Sequence, residues 1–221
     1  MTTVSAATAE PETLADLIRS LGDVDPQRIF LKPQPGTATE ADLYACGLKR
    51  VELIDGTLVR KTMGGRESFV AATLFSFLWV WKQRTNPGLV GVPDANFRLT
   101  QGLVRLPDLS FTAWVSLPDD FAHLQPVLDF PPDLAVEILS ESDRAGEVRR
   151  KIGEYFAYGT KLVWVVDPRA CNVAVYADAE TSTTLTRDDT LDGGAVLPGF
   201  ALPLAQLFDE PQLNPRPRSG A

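Results

Sequence analysis

One histidine and two cysteines in a chain of 221 residues leave several kinds of chemistry without parts. The lone imidazole, His123, falls in a proline-rich stretch that reads as a solvent-facing loop, and no Gly-x-Ser-x-Gly elbow occurs. A serine–histidine–acid hydrolase is therefore poorly supported. Cys46 and Cys171 are far apart and fit neither a zinc spacing nor a disulfide framework. They read as buried or incidental thiols of a reducing compartment. No apolar run approaches the roughly 20 residues a membrane span needs. Met1 to Glu12 has no basic stretch leading into an apolar core, so no signal peptide is read and the cytoplasm is the expected location. Phosphate-binding glycine loops and dinucleotide fingerprints are missing too. Positive charge is scarce: 21 Lys and Arg stand against 29 Asp and Glu, a net charge of −8. That speaks against a broad basic face for nucleic acid, but not against a site made of clustered carboxylates with local arginines.

The composition, 44% hydrophobic and 23% charged, is that of an ordinary globular chain able to build its own core. Residues 1–37 mix Ala, Thr, Glu and Pro around one short apolar patch, and are expected to form a loosely attached, partly disordered extension with one helix. The main domain is expected over 38–209, and the proline-bearing 210–221 as a disordered tail. Thr39 suits the N-cap of a short helix, Glu40 to Ala45. Asp55–Gly56 between two β-rich runs signals a hairpin. Helical spacing of Phe69, Leu74, Phe77, Leu78 and Trp81 predicts a long helix that ends at Asn86-Pro-Gly88. Two strands are read next, Leu89 to Leu99 and Leu103 to Trp114. A central strand, Leu134 to Leu139, leads to a helix from about Arg144 to Tyr158, with N-cap candidates at Ser140, Ser142 and Asp143. Strands at Leu162–Val166, Asn172–Tyr176 and Thr183–Thr186 and a last short helix close the chain. The order predicts an α/β or α+β fold, a mixed sheet flanked by helices with an N-terminal hairpin extension.

Within that plan, three side chains draw together. Strand alternation puts Leu109 and Phe111 on one face and Asp108 and Ser110 on the other. In the second strand Leu134, Val136 and Ile138 share one face, and Ala135, Glu137 and Leu139 the opposite one. If the two strands pair with these faces matched, Asp108 and Glu137 converge. A carboxylate inside an apolar strand is costly unless it is paired or binds a metal. Metal ligation and a buried ion pair with an arginine are both open for Glu137, and a turn or cap role for Asp108. Lys151 lies at the rim of the apolar stripe of Val148, Ile152, Tyr155 and Phe156, where it could aim its ammonium toward Glu137 or merely border the core. Glu67 opens the long helix and could be a metal or water ligand, or only a first-turn acid facing the helix dipole. Glu52, on the first hairpin strand, is a weaker candidate.

The ordered motifs Val51-Glu-Leu-Ile-Asp-Gly56, Arg105-Leu-Pro-Asp-Leu-Ser110, Pro132-Asp-Leu-Ala-Val-Glu-Ile-Leu-Ser140, Lys151-Ile-Gly-Glu-Tyr155 and Val163-Trp-Val-Val-Asp-Pro168 resemble the Uma-two family of restriction endonucleases in the PD-(D/E)XK nuclease superfamily. The resemblance spans about Thr39 to Phe208. It implies a restriction-endonuclease-like core, with Asp108 and Glu137 as the two acids. The superfamily lysine comes two residues after the second acid, where this chain has Leu139; Lys151 resembles the migrated lysine of this family. Members often carry a histidine near Glu67, and this chain does not.

The implied activity is a metal-dependent DNA endonuclease. Asp108, Glu137 and the main-chain carbonyl of Leu139 would hold Mg²⁺ or Mn²⁺. Lys151 would orient the nucleophile or neutralise charge, Glu67 would position a water or second metal, and Arg144, Arg149 and Arg150 would reach the phosphate backbone. A homodimer is expected for cutting two strands. Two alternatives stand beside it: a catalytically silent protein that keeps the nuclease fold for nucleic-acid binding or regulation, and a metal-dependent phosphoesterase for a small substrate.

Overall fold

The computed structural model describes residues 11–47, 50–119, 121 and 125–209. His123, the first ten residues and the tail 210–221 lie outside them. Among the described residues no helix is long and apolar enough to cross a membrane.

A six-stranded mixed sheet forms the centre. Its strands are β3 (Gly88–Gly91), β6 (Leu109–Ala113), β8 (Leu134–Ile138), β9 (Leu162–Asp167), β10 (Asn172–Tyr176) and β11 (Ser182–Thr186), in that spatial order. Within this sheet, only β8 and β9 pair in parallel. Their connection is α4 (Ala145–Ala157), the crossover helix such a pair requires. One face is covered by α3 (Gly65–Thr85) and α5 (Leu204–Phe208), which pack Leu74, Leu78, Trp81 and Leu207 against Leu134, Val136, Ile138 and Trp164. On the other face α4 packs Ile152 and Tyr155 against Ala135, Val163 and Val165. Both faces of β8 and β9 are buried, which is why these strands read as continuous apolar runs.

A second sheet holds the hairpin β1 (Val51–Ile54) and β2 (Thr57–Arg60), then β5 (Leu103–Arg105), β4 (Asn96–Thr100) and β7 (Val127–Leu128). The turn has positive φ at both Asp55 and Gly56, as the Asp-Gly signal requires. A third, two-stranded sheet pairs β12 (Thr190–Asp192) with β13 (Ala201–Pro203). The mixed, helix-flanked architecture is as expected.

Three details differ from the sequence reading. The two long strands expected over 89–114 are four short ones shared between two sheets. Pro93 lies between β3 and β4, and Pro107 between β5 and β6, where no backbone N–H can continue a ladder. The N-cap of α4 is Arg144, without a side-chain cap, because Asp143 instead accepts from the N–H and hydroxyl of Ser140 at 2.6 and 2.8 Å.

Residues 11–37, expected to be loosely attached, are tied to the domain. Helix α1 (Leu14–Ser20) has a capping box from Thr13 and Asp16 and leads to a short 3₁₀ turn at Pro26–Arg28. Leu17, Leu21, Val24 and Ile29 are buried in the same cluster as Ile152 and Val165. Gly22, at φ 87°, lies against the first turn of α4, where an added Cβ would come within 2.8 Å of the Glu147 backbone. Only glycine allows that approach.

Candidate active site

The register of β6 on β8 pairs Leu109 with Val136 and Ser110 with Ala135. One step back, Asp108 lies beside Glu137, and its N–H donates to the Val136 carbonyl at 2.8 Å. Apolar neighbours go to the α3 side, so both carboxylates face α4 and the second sheet. The matched-face arrangement expected from alternation is the one observed. Asp108 is 1% exposed and Glu137 5%.

A side chain not foreseen from the sequence joins them. Lys61, the residue after β2, points its ammonium between the two acids, 2.9 Å from Glu137 Oε2 and 3.1 Å from Asp108 Oδ1. It also donates to the Leu106 carbonyl at 2.6 Å. The second carboxylate oxygen of Asp108 accepts from the Ile138 N–H at 2.8 Å, while Oδ1 accepts no regular hydrogen bond and faces Lys61. Lys151 aims from α4 as expected: its ammonium is 3.3 Å from Glu137 Oε2, 3.5 Å from Glu52 and 3.9 Å from Glu147. One turn later on α4, the Tyr155 hydroxyl donates to Glu137 Oε1 at 2.8 Å. Glu137 is thus held by two ammoniums and a phenol.

Behind this group lies a second tier. Glu52 on β1 accepts from Arg105 at 2.9 Å and from the Leu106 N–H at 3.1 Å. Arg105, fully buried, spans to Glu154 on α4 at 2.6 Å. Arg28 makes a two-pronged pair with Glu147 at 2.7 and 2.8 Å. Charged groups this deep persist only when paired and hydrogen-bonded.

The protonation preferences follow from these contacts. For Glu137 burial favours the neutral acid, but Lys151 and Lys61 outweigh it and hold the carboxyl below its ordinary value. Glu52 is likewise opposed by burial, and Lys151, Arg105 and Lys61 bring it down to about 2. Asp108 goes the other way: burial dominates Lys61, and its carboxyl is raised. Lys61 and Lys151 are both held above the ordinary lysine value, since their acid neighbours overcome desolvation. Of the two acids flanking Lys61, Asp108 protonates more readily.

The remaining candidates are spread out. Glu67 is buried in the first turn of α3, with its carboxylate folded against Gly64. Among the described residues it forms no ion pair with the Asp108–Glu137 group. It lines a pocket of about 630 Å³ with Thr62, Gly64, Ser140, Glu141 and Arg169, at the loops that follow Lys61 and β8. Arg150 is engaged by Glu154 and Asp55, each at 2.7 Å, and so is not free to meet a phosphate in this conformation. Arg144 and Arg149 are exposed and line a separate groove between α4 and the β9–β10 end of the sheet. The Leu139 N–H donates to the Val166 carbonyl at 2.9 Å, which fixes the peptide just past β8.

The residues missed in sequence share one trait: their partners are remote. Lys61 is 76 residues from Glu137, and Arg28 is 119 from Glu147. Tyr155 could have been found, because it is four residues from Lys151 and shares its helix face.

Comparison with known proteins bears on the family and the fold. The family model of Uma2, described as "Putative restriction endonuclease", matches residues 42–205. The crystal structure of a "putative nuclease belonging to DUF820" from Anabaena variabilis is similar with a TM-score of 0.63 and 21% identity, covering 72% of this chain and 89% of that one. At that identity the likeness speaks for the fold. No protein of curated function matches the sequence.

Proposed function

This chain belongs to the Uma2 family of "putative restriction endonucleases", and on that premise we propose that it is a metal-dependent DNA endonuclease whose site is built on Asp108 and Glu137. The observation that carries the reading is the delivery of these two carboxylates, from neighbouring strands, onto one positively charged position.

The donor set fits a hard divalent cation. Two carboxylate oxygens face the same point, and Asp108 Oδ1 has no regular hydrogen bond to lose. Oxygen donors of this kind suit Mg²⁺ or Mn²⁺, which keep several water ligands and need few from the protein. Among the described residues no cluster of three or more His, Cys, Asp or Glu offers a fuller cage. The holders would be Asp108 and Glu137, with the Leu139 carbonyl as the third donor named by the family pattern. The bound metal would polarise the scissile phosphate and lower the pKa of its water.

The chain's own residues have separable roles. Lys151 keeps Glu137 ionised and balances charge at the site; at 3% exposure it acts from behind the carboxylate. Tyr155 fixes the other Glu137 oxygen, and the Ile138 N–H fixes Asp108. Glu67 would act at the pocket mouth on a water or on the incoming strand. Arg144 and Arg149 would guide the DNA backbone; Arg150 would do so only after release from Asp55 and Glu154. A homodimer would supply the second site for a double-strand cut.

One observation favours a second reading, a catalytically silent nuclease fold that binds nucleic acid or regulates a partner: an ammonium already fills the position between the acids. Supercoiled plasmid and single-stranded DNA incubated with Mg²⁺ or Mn²⁺ separate the two. The endonuclease reading expects metal-dependent nicking that falls to the chelator level in Asp108→Ala. Folded protein that cuts neither substrate in either metal supports the silent fold.

A further inference from the structure

Counting charge in the buried group gives three acids, Asp108, Glu137 and Glu52, against three cations, Lys61, Lys151 and Arg105. Two further acids at its edge, Glu147 and Glu154, are matched by Arg28 and Arg150. The cluster is balanced as it stands. A divalent cation placed between Asp108 and Glu137 would add two positive charges in a volume already held by an ammonium 2.9 Å from one acid and 3.1 Å from the other. Metal–oxygen bonds of about 2.1 Å leave no room for a nitrogen at the same point. One cation must leave.

The surroundings single out which. Arg105 is fully buried between Glu52 and Glu154. Lys151 stands on a packed helix and faces three carboxylates. Lys61 begins the irregular link 61–64 between β2 and α3, where Thr62 and Gly64 are exposed. Its stem is four flexible carbons. The link borders the 630 Å³ pocket, which holds Glu67 and Glu141 beside Arg66 and Arg169, with Glu141 paired to Arg169 at 3.4 Å. Glu67 is buried there without an ion-pair partner among the described residues. An ammonium leaving the two acids thus finds one carboxylate in the adjoining pocket without an ion-pair partner among the described residues, that of Glu67.

We propose that Lys61 is a tethered counter-ion that holds the cation position between Asp108 and Glu137, and that a divalent metal binds only as the Lys61 ammonium withdraws toward Glu67. The inference rests on the reading of Asp108 and Glu137 as metal holders. It explains how two buried carboxylates 1% and 5% exposed stay compensated without metal. It also makes metal affinity a competition inside one chain, so the wild type binds more weakly than its donor set alone would allow.

Two measurements test it on the full chain. Mn²⁺ is titrated calorimetrically into the wild type, Lys61→Met and Lys61→Gln, with folding of each checked by circular dichroism. Separately, wild-type protein is treated with an amine-acylating reagent, with and without saturating Mn²⁺, and labelling of Lys61 is read by mass spectrometry. The expected result is Mn²⁺ affinity at least tenfold tighter in the variants, and Lys61 labelling several-fold faster with Mn²⁺. Equal or weaker affinity in the variants overturns the proposal, as does unchanged labelling when Mn²⁺ is bound; DNA cutting that persists in those cases leaves the endonuclease reading intact. Failure of wild type and variants alike to bind Mn²⁺, together with no cutting, overturns both. Should the variants not fold, the wild-type labelling decides.

Discussion

Glu137 shows how one side chain can be both costly and secure. Its carboxylate is buried in an apolar strand, yet it receives Lys61, Lys151 and the Tyr155 hydroxyl. Removing a single neutral donor from such a group leaves part of its desolvation uncompensated, at a cost of roughly 1–3 kcal/mol. Tyr155→Phe should therefore destabilise the protein by about 2 kcal/mol in denaturant unfolding, although it loses only one oxygen. An unchanged midpoint would show that the phenol does not support Glu137. At this scale the sequence was partly legible. Alternation exposed Asp108 and Glu137, because a lone acid in an apolar strand breaks the pattern, and Lys151 stood at the edge of a helical stripe. Lys61 gave no such signal. Only the packing of the second sheet against the first turns Lys61 inward, onto Asp108 and Glu137.

Elements carry the site through their junctions. Helix α4 contributes Glu147, Lys151, Glu154 and Tyr155 to the buried network from one face, so its placement sets four contacts at once. That placement is secured in part by the segment before the family domain. Gly22 meets the α4 backbone, and Arg28 grips Glu147. Arg28→Met leaves Glu147 buried without its main partner, and losses of that kind run to about 3–5 kcal/mol. The expected outcome is a lower unfolding midpoint together with early proteolytic cleavage within residues 14–28. A variant as resistant as the wild type would mean that the N-terminal segment is not held by this pair. Composition alone concealed the attachment, since Ala, Thr, Glu and Pro around a short apolar patch describe both a loose tail and a docked one. The deciding contacts are the close approach at Gly22 and the Arg28–Glu147 pair, both to a helix more than a hundred residues away. The strands split at Pro93 and Pro107 were a local misreading: each proline was visible, but the change of sheet across it was not.

Across the whole molecule the buried network links stability to pH. Glu52 falls from an ordinary 4.5 to about 2 on folding, so the native state binds fewer protons than the unfolded chain in that interval. Its contribution, roughly 3 kcal/mol, is present in full above pH 4.5 and is lost as pH falls toward 2. Glu137, also lowered, acts with the same sign. Asp108, raised by burial, acts with the opposite sign: folding takes up its proton early, and its ionised form costs stability as pH rises through its folded value. The thermal midpoint should drop between pH 5 and pH 2.5, and the drop should be shallower in Glu52→Gln, which starts from a lower midpoint at pH 7 because Arg105 and Lys151 lose their shared acid. Parallel pH profiles for the two proteins would contradict the assignment. The fold class and the order of the hairpin, the long helices and the strands β8 to β11 were legible, because both faces of β8 and β9 are apolar and the turns carry glycine, proline or Asp-Gly. The closed ionic network was not, since the pairs that close it, Lys61 with Asp108 and Glu137, Arg105 with Glu52 and Arg28 with Glu147, join separate elements.

Asp108 and Glu137 as a single metal position is the claim on which the rest depends. Crystals soaked in Mn²⁺ and measured at the manganese absorption edge test it directly. An anomalous peak is expected in bonding contact with Asp108 Oδ1 and Glu137 Oε2, with the Lys61 ammonium moved away from both. A map with no peak at that position, and Lys61 still between the two carboxylates, would contradict it.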